Sequence, residues 1–476
     1  MTRKLLKDVS ASAIQVLINQ VLGLLVFLII SVDLPKEIYG ELNWSIAVLT
    51  FATTILSLRL EQIVVKRSAA EQNSSKIMTL FMIHVLLTGA GFYLLLFLLS
   101  YIFPSFFTAH SLLLVVGISQ LLSFFSSPFK QVANGKERFD YLAVMSSTAN
   151  LVRAILLFSV IIIYHLNIQW LLIIFIISSF IELLVCFFIV TCLMKIPLAN
   201  KIHFTDYTLL LRQSLPQIGS AILMAGITRI DWILLGLFST ASLTAEYSFA
   251  YRVYELSPFP LLIIAPILLS RFSKYFASSN QSLLVKKKEL GLLVRTEMIA
   301  ATLIPLVLNI MWTPVIDLIT GNKYGAVNQT TFLILSFCIP FQYITNILWS
   351  AHFAQHRLKL IFRITLITFC ITLVCDLLFI PLYNVKGAAF VYLAAIIIEY
   401  INYMRSSELS AIKETWQSLL ICIIAACISG FVSVSFFELV AWRLAIAVPL
   451  FFLLLVATGQ LRMNDIRYMF LLFNKK

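Results

Sequence analysis

Apolar stretches recur along all 476 residues, and lysine and arginine crowd into every second gap between them. Runs near the 20 or so residues that span a bilayer fall at 12–31, 41–58, 77–102, 111–128, 141–164, 168–194, 213–238, 245–269, 291–312, 327–349, 361–383, 387–404, 416–437 and 440–458. The N-terminus, inner loops and C-terminus of this layout hold 27 of the 35 basic residues. The opposite face holds only Lys36, Lys323, Lys386 and Arg443. Such a bias is the positive-inside signature of an even number of spans with both termini in the cytoplasm. The pattern predicts an all-α integral membrane protein of about 14 transmembrane helices in a bacterial inner membrane.

Composition excludes a soluble fold. With 61% hydrophobic and 12% charged residues and a mean hydropathy of +0.97, the chain has too little polar surface to cover itself in water. The net charge of +13 follows from topology, gives the cytoplasmic rim an attraction for anionic lipid, and does not point to nucleic acid. Lys286, Lys287 and Lys288 sit in the inner loop joining the two halves and read as a solvated linker. Met1 to Lys7 and the following apolar run resemble a signal peptide, but no small-residue cleavage site follows, so the segment is expected to stay as helix one. All seven cysteines lie in apolar segments without metal or disulfide spacing and read as small buried hydrophobes.

A shift of 208 positions aligns Ser12, Ala13 and Ile14 with Ser220, Ala221 and Ile222, Tyr39 with Tyr247, and Lys66 with Lys274. Helices 1 and 2 then correspond to helices 7 and 8. A displacement of six helices preserves orientation, as in halves related by an axis along the membrane normal. The expected units are residues 1–212, 213–404 and 405–476, the last comprising two additional helices and a cytoplasmic tail.

Absent motifs narrow the chemistry. No G-x-x-x-x-G-K-[ST] phosphate cradle occurs, so the chain is not itself an ATP-driven pump. No outer loop exceeds about 15 residues, and the inner loops are short, leaving no room for an extramembrane active site. A transporter is expected rather than an enzyme, without cofactor. His352 and His356 have i,i+4 spacing but no third ligand nearby, so no metal centre is expected. His84, alone in helix 3, reads as a hydrogen-bonded packing residue.

Ionisable residues at membrane depth are the functional candidates, since each costs about 2.5–3.5 kcal/mol at a helix centre on insertion scales. Arg153 lies near the middle of helix 5 and Glu182 near the middle of helix 6, where neighbouring antiparallel helices could let them pair. In helix 7, Arg229 and Asp231 are two residues apart and project to nearly opposite sides. Helix 8 offers Arg252 and Glu255, three apart on one face, so an interlocked network of these four follows. It either holds helices 7 and 8 together or faces a cavity and meets an anionic substrate. Two arginines at one depth favour the cavity. Arg295 lies closer to the inner surface, where it can snorkel. Pro258, Pro260, Pro266, Pro305 and Pro340 inside helices 8 to 10, with Pro216 entering helix 7, predict bent segments.

Four stretches carry a family resemblance: SLPQIGSAILMAGITRIDWILLGLFSTASLTAEYSFAYRVYE across helices 7 and 8, YGELNWSIAVLTFATTILSLRLEQIVVKRSA after helix 1, ANGKERFDY before helix 5, and IPLYNVKGAAFVY between helices 11 and 12. They resemble the polysaccharide-transporter, Wzx-type flippases of the MATE-like MOP superfamily. The resemblance implies two six-helix bundles forming a V around a central cavity, plus two peripheral helices, here 13 and 14. It also implies translocation of undecaprenyl-diphosphate-linked oligosaccharide units, destined for O-antigen or capsule, from the cytoplasmic to the periplasmic leaflet. Membrane lipid, a polysaccharide polymerase and a chain-length regulator are the implied partners.

A diphosphate-linked sugar needs a cationic, wet passage while its lipid tail stays in the bilayer. Arg153, Arg229, Arg252 and Arg295 are therefore the candidates for contacting diphosphate or acidic sugar. Asp231, Glu255, Glu182 and Asp376 are the candidates for ion coupling, because carboxylates at depth can bind and release protons. A multidrug antiporter of the same superfamily is expected to carry an acidic residue in helix 1, and nothing acidic lies between Asp8 and Asp33 here. A lipid II flippase shares architecture and reaction and differs in cargo. A polymerase or ligase would carry a large periplasmic loop, and a scaffold would not keep so many costly buried charges.

Overall fold

A chain this apolar satisfies its backbone in lipid by closing every hydrogen bond within its own segments, and the described residues are helical throughout their spans. The computed structural model describes residues 3–70, 73–164, 166–258, 261, 272, 283–407 and 415–461. The helices are α1 (Arg3–Asp33), α2 (Lys36–Leu56), α3 (Leu60–Ala69), α4 (Ser74–Ile102), α5 (Pro104–Ala109), α6 (Leu112–Gly135), α7 (Phe139–Ile163), α8 (Ile168–Phe188) and α9 (Phe204–Phe238). They continue as α10 (Ala241–Leu256), α11 (Leu283–Thr320), α12 (Gly325–Ser336), α13 (Cys338–Ala354), α14 (Leu358–Ser406), α15 (Thr415–Phe436) and α16 (Val440–Ala457). Local sequence sets several starts. The Asn73 side chain accepts from Lys76 N at 3.1 Å, the Asn167 side chain accepts from Trp170 N at 2.9 Å, and Pro104 occupies the first turn of α5, where a missing N–H costs nothing.

Among the described residues, ten helices are long and apolar enough to cross a bilayer, or eleven if the bent pair α2–α3 is one span. Three expectations need refinement. The spans expected at 361–383 and 387–404 share the single assignment α14, broken at Asn384. α9 starts at Phe204, so Pro216 lies inside it instead of at its entrance. The expected span 245–269 is helical to Leu256, and Pro258 follows in a turn. Pro260 and Pro266 lie outside the described residues.

The chain packs as two compact units, Met1–Ala245 and Glu246–Lys476. In the first, α6 is central, touching α2, α3, α4, α7 and α8, while α1 lies along α7 and α2 along α9. Its buried cluster runs from Leu60, Ile63 and Val64 of α3 through Met78 and Phe81 of α4 to Val132, Cys186 and Leu210. In the second, α11 touches α12, α13, α15 and α16, and α13 packs on α14. The packing division falls one helix beyond the division by repeat at 212, because α9 lies against α2. Large apolar side chains such as Leu87, Phe158 and Leu382 are exposed, while Ser119, Ser178, Asp231 and Asp376 are buried. That inversion is the surface a bilayer requires.

Candidate functional site

Two cavities lie along the seam where α9 packs on α2 and α3. Their geometry starts with a break in the chain. α2 ends at Leu56, and α3 leaves at 55° after three residues. Leu58 and Arg59 both adopt left-handed backbone, with φ of 48° and 59°, a conformation that costs a side-chain-bearing residue about 1–2 kcal/mol. The bend is held by Leu58 N donating to Ile55 O at 3.1 Å and Leu60 N to Ser57 O at 3.0 Å. His84 Nε2 lies 2.8 Å from Leu56 O, and its Nδ1 lies 2.9 Å from Tyr207 Oη. A carbonyl can only accept, so Nε2 carries the proton and a neutral ring accepts from tyrosine. His84 is thus a packing residue, as expected, and the group it packs is the bend.

The bend places Arg59 in a cavity of about 290 Å³ between α2 and α9, lined also by Thr50, Thr54, Thr228 and Arg229. Thr54 and Thr228 donate their hydroxyl protons to carbonyls of their own helices. Arg59 and Arg229 are the two cationic residues that line this space. Arg229 lies with its Cζ 5.1 Å from the Trp232 ring centroid. Asp231 is 1% exposed, accepts from Trp232 N at 2.8 Å, and is not among the residues lining this cavity. Among the described residues the cavity is lined by two arginines and by no carboxylate.

A second cavity, of about 560 Å³, lies at the other end of the same seam, lined by Lys66 and Arg67 of α3 and by Leu209, Gln213 and Gln217 of α9. Gln217 lines this cavity and Ala221, one helical turn further, lines the first.

Arg153 does not pair directly with Glu182. Its Nε donates to Ser178 Oγ at 2.9 Å and its Nη2 to Ser179 Oγ at 3.0 Å, with the guanidinium 4.4 Å from the Phe175 centroid. Glu182 accepts instead from Lys130 Nζ and, at 2.9 Å, from Ser123 Oγ. Lys130 counts as loop charge by sequence, but α6 continues to Gly135 and carries it inside. Lys130 and Glu182 are thus an ion pair between α6 and α8, while Arg153 is held on α8 by hydroxyls and a ring and has no ion pair of its own among the described residues.

In the second unit, Arg252 Nη1 donates to Glu255 Oε2 at 2.8 Å, as their spacing on one helical face requires. Beside them, Tyr251 and Tyr254 approach Tyr392 at 3.3 and 3.5 Å between hydroxyls, and Tyr254 donates to Gln342 Oε1 at 2.9 Å. Asp376 is fully buried in α14 and Arg295 is half-buried in α11. Arg229 and Asp231 belong to the first unit, Arg252 and Glu255 to the second.

Sequence reasoning missed five residues. Arg59, Lys66, Arg67 and Lys130 register as loop charge, though the i, i+3, i+4 spacing of Leu60, Ile63 and Val64 marks α3 as a helix. Glu297, in α11, is 2% exposed, and neither carboxylate oxygen has a hydrogen-bond partner among the described residues. Its position near the expected inner end of helix 9, close to Arg295, masks it in the sequence.

The family profile described as polysaccharide biosynthesis protein matches residues 5–276. No curated protein sequence matches the chain. Among solved structures it is similar to the lipid II flippase MurJ in an inward closed conformation, at 17% identity over 93% of this chain and 97% of that one, with a TM-score of 0.73. It is also similar to an inward-facing multidrug-resistance MATE transporter of the MOP superfamily, at 14% identity over 85% and 99%, TM-score 0.62. The Vibrio cholerae MATE transporter VcmN in its bent form gives 15% identity over 86% and 98%, TM-score 0.51. These likenesses show the fold, that of MOP superfamily transporters.

Proposed function

The chain belongs to the polysaccharide biosynthesis protein family, and from that membership we propose that it is a flippase for undecaprenyl-diphosphate-linked oligosaccharide repeat units of O-antigen or capsule. It carries them from the cytoplasmic to the periplasmic leaflet of the inner membrane by ion-coupled alternating access, with both termini cytoplasmic. The observation that carries this reading is the placement of Arg59 and Arg229 in one cavity between two helices, without a lining carboxylate among the described residues. Two guanidinium groups suit a diphosphate, which they grip through forked N–H donors. A cation exporter needs the reverse polarity.

Arg252 and Arg295 are assigned to the same anionic cargo from the second unit, and Arg153 to it through the serines it now holds. Asp231, Asp376 and Glu255 are assigned to ion coupling; Glu182 joins them only by releasing Lys130. The exported unit passes to a polymerase and its chain-length regulator.

The test is the surface glycan and the undecaprenyl-linked intermediates of a strain deleted for this gene. Loss of polymerised glycan with single repeat units accumulating on the carrier supports the reading. Normal glycan with altered drug sensitivity would replace it with an antiporter. The likeness to MurJ favours one second reading, a peptidoglycan-precursor cargo. Accumulation of lipid II in place of glycan repeat units would select it.

A further inference from the structure

Three cytoplasmic-side cations of the first unit are ion-paired. Lys76 pairs with Asp206 at 2.6 Å, Arg138 with Asp140 at 3.0 Å, and Lys130 with Glu182. Lys66 and Arg67 make no ion pair among the described residues, and both line the 560 Å³ cavity between α3 and α9. Arg67 is nevertheless held in place. Its Nε and Nη2 both donate to Gln213 Oε1, at 2.9 and 2.7 Å. An amide oxygen orients the guanidinium as a carboxylate would, but leaves its charge unneutralised and the Gln213 amide N–H groups available. Gln217, four residues on and so on the same face of α9, also lines the cavity, and its amide N–H groups are the donors it can offer to an anion there.

We propose that Lys66, Arg67, Gln213 and Gln217 form a docking site for the phosphate group of a lipid at the cytoplasmic surface, preceding the Arg59–Arg229 cavity. This rests on the flippase reading above. Lys66 lies seven residues along α3 from Arg59, roughly 10 Å at 1.5 Å per residue, and the cavities adjoin along α9. A phosphate bound first at Lys66 and Arg67 would thus pass to Arg59 one short step deeper. Two sources share this chemistry: the diphosphate of the cargo and the headgroup of an anionic phospholipid.

The experiment is native mass spectrometry of the purified full-length protein titrated with undecaprenyl diphosphate and, separately, with phosphatidylglycerol. The double variant Lys66→Gln, Arg67→Gln is expected to weaken binding at least tenfold. Gln213→Glu, which removes no cation but sets a carboxylate against Arg67, should weaken it similarly and guards against simple misfolding of the double variant. Loss confined to undecaprenyl diphosphate identifies the cargo as occupant, whereas equal loss for phosphatidylglycerol identifies the phospholipid headgroup; both support a phosphate site. Unchanged affinity for both lipids, with Arg229→Gln still weakening undecaprenyl diphosphate, overturns the docking site and leaves the flippase reading intact. If the wild-type protein ignores undecaprenyl diphosphate while phosphatidylglycerol binding depends on Lys66 and Arg67, the flippase reading falls and the phosphate site stands.

Discussion

Arg59 combines an unfavourable backbone with a favourable position, and the two effects can be separated by substitution. Glycine adopts left-handed φ freely, so Arg59→Gly should relieve about 1–2 kcal/mol of backbone cost while deleting the guanidinium. The expected result is a protein at least as heat-stable as wild type in detergent, with surface glycan reduced at least tenfold; Arg59→Lys keeps a charge and should retain partial export. A fall in melting temperature for the glycine variant would mean that the arginine is held for packing. Glu297 presents a parallel case, buried with both oxygens unpartnered among the described residues. A carboxylate in that setting would carry its desolvation cost uncompensated, so the neutral, protonated group is the one that burial favours; Glu297→Gln, neutral and of the same size, should leave the melting temperature close to wild type and, as an intramembrane ionisable group is kept for function, lower export. Unchanged export would leave Glu297 without a transport role. At this scale the sequence was partly legible. Arg229 and Asp231 stand out because they interrupt an apolar run. Arg59, Lys66 and Lys130 do not, because their role depends on where a helix ends, and the run Ser57-Leu58-Arg59 contains no glycine or proline to mark a break.

Helix packing is decided at two glycines that sequence gives no reason to choose among fifteen. A Cβ on Gly40 of α2 would lie 1.8 Å from Ala241 O, and one on Gly236 of α9 would lie 1.8 Å from Trp44 Cδ1. The overlaps are equal but the obstacles differ. Ala241 O is backbone and cannot rotate away, whereas Trp44 is a side chain. Trp44 is held, however, by its Nε1 donating to Ile233 O at 3.1 Å and by stacking on His110 at 3.9 Å, and His110 in turn pairs with Glu41 at 3.1 Å. Overpacking of this kind costs about 1–3 kcal/mol. Gly40→Ala should therefore destabilise more than Gly236→Ala, and a Gly236→Ala, Trp44→Phe double variant should recover part of the loss. Gly91→Ala, with nothing within 4 Å, should be neutral or stabilising, since alanine is the better helix former. Thermal unfolding of the four variants in one detergent checks the order. Gly236→Ala as costly as Gly40→Ala would show that Trp44 is as immovable as backbone. The apolar runs behind these helices were legible because lipid demands them; the contacts were not, because they join residues about 200 positions apart.

Topology at the scale of the whole chain turns on Asn384. A straight α14 would extend about 74 Å at 1.5 Å per residue, more than twice the roughly 30 Å of a hydrocarbon core. Asn384, at φ 49° and ψ −128°, is not helical, and the segments on either side, 358–383 and 385–406, are each long enough to span. The contact that decides their direction is made by Gly387, where an added Cβ would lie 2.5 Å from Phe379 O and 3.2 Å from Tyr383 Cβ. Residues eight apart on a continuous helix are separated by about 12 Å, so the chain folds back on itself at Asn384. Only a residue without a Cβ permits that approach, which gives the glycine of the stretch Asn384-Val385-Lys386-Gly387 its structural task. A reversal also agrees with the expected charge count: Lys386, at the turn, is one of the four basic residues expected on the outer face, while Arg357 and Arg405 stand at the two far ends. Reporter fusions after Asn384 and after Ser406 should accordingly report opposite compartments, periplasm for the first and cytoplasm for the second. The same compartment for both would mean that the chain crosses the bilayer once where two crossings are expected, which would place the tail after α16 outside and break the positive-inside count for the basic residues that follow Asn384.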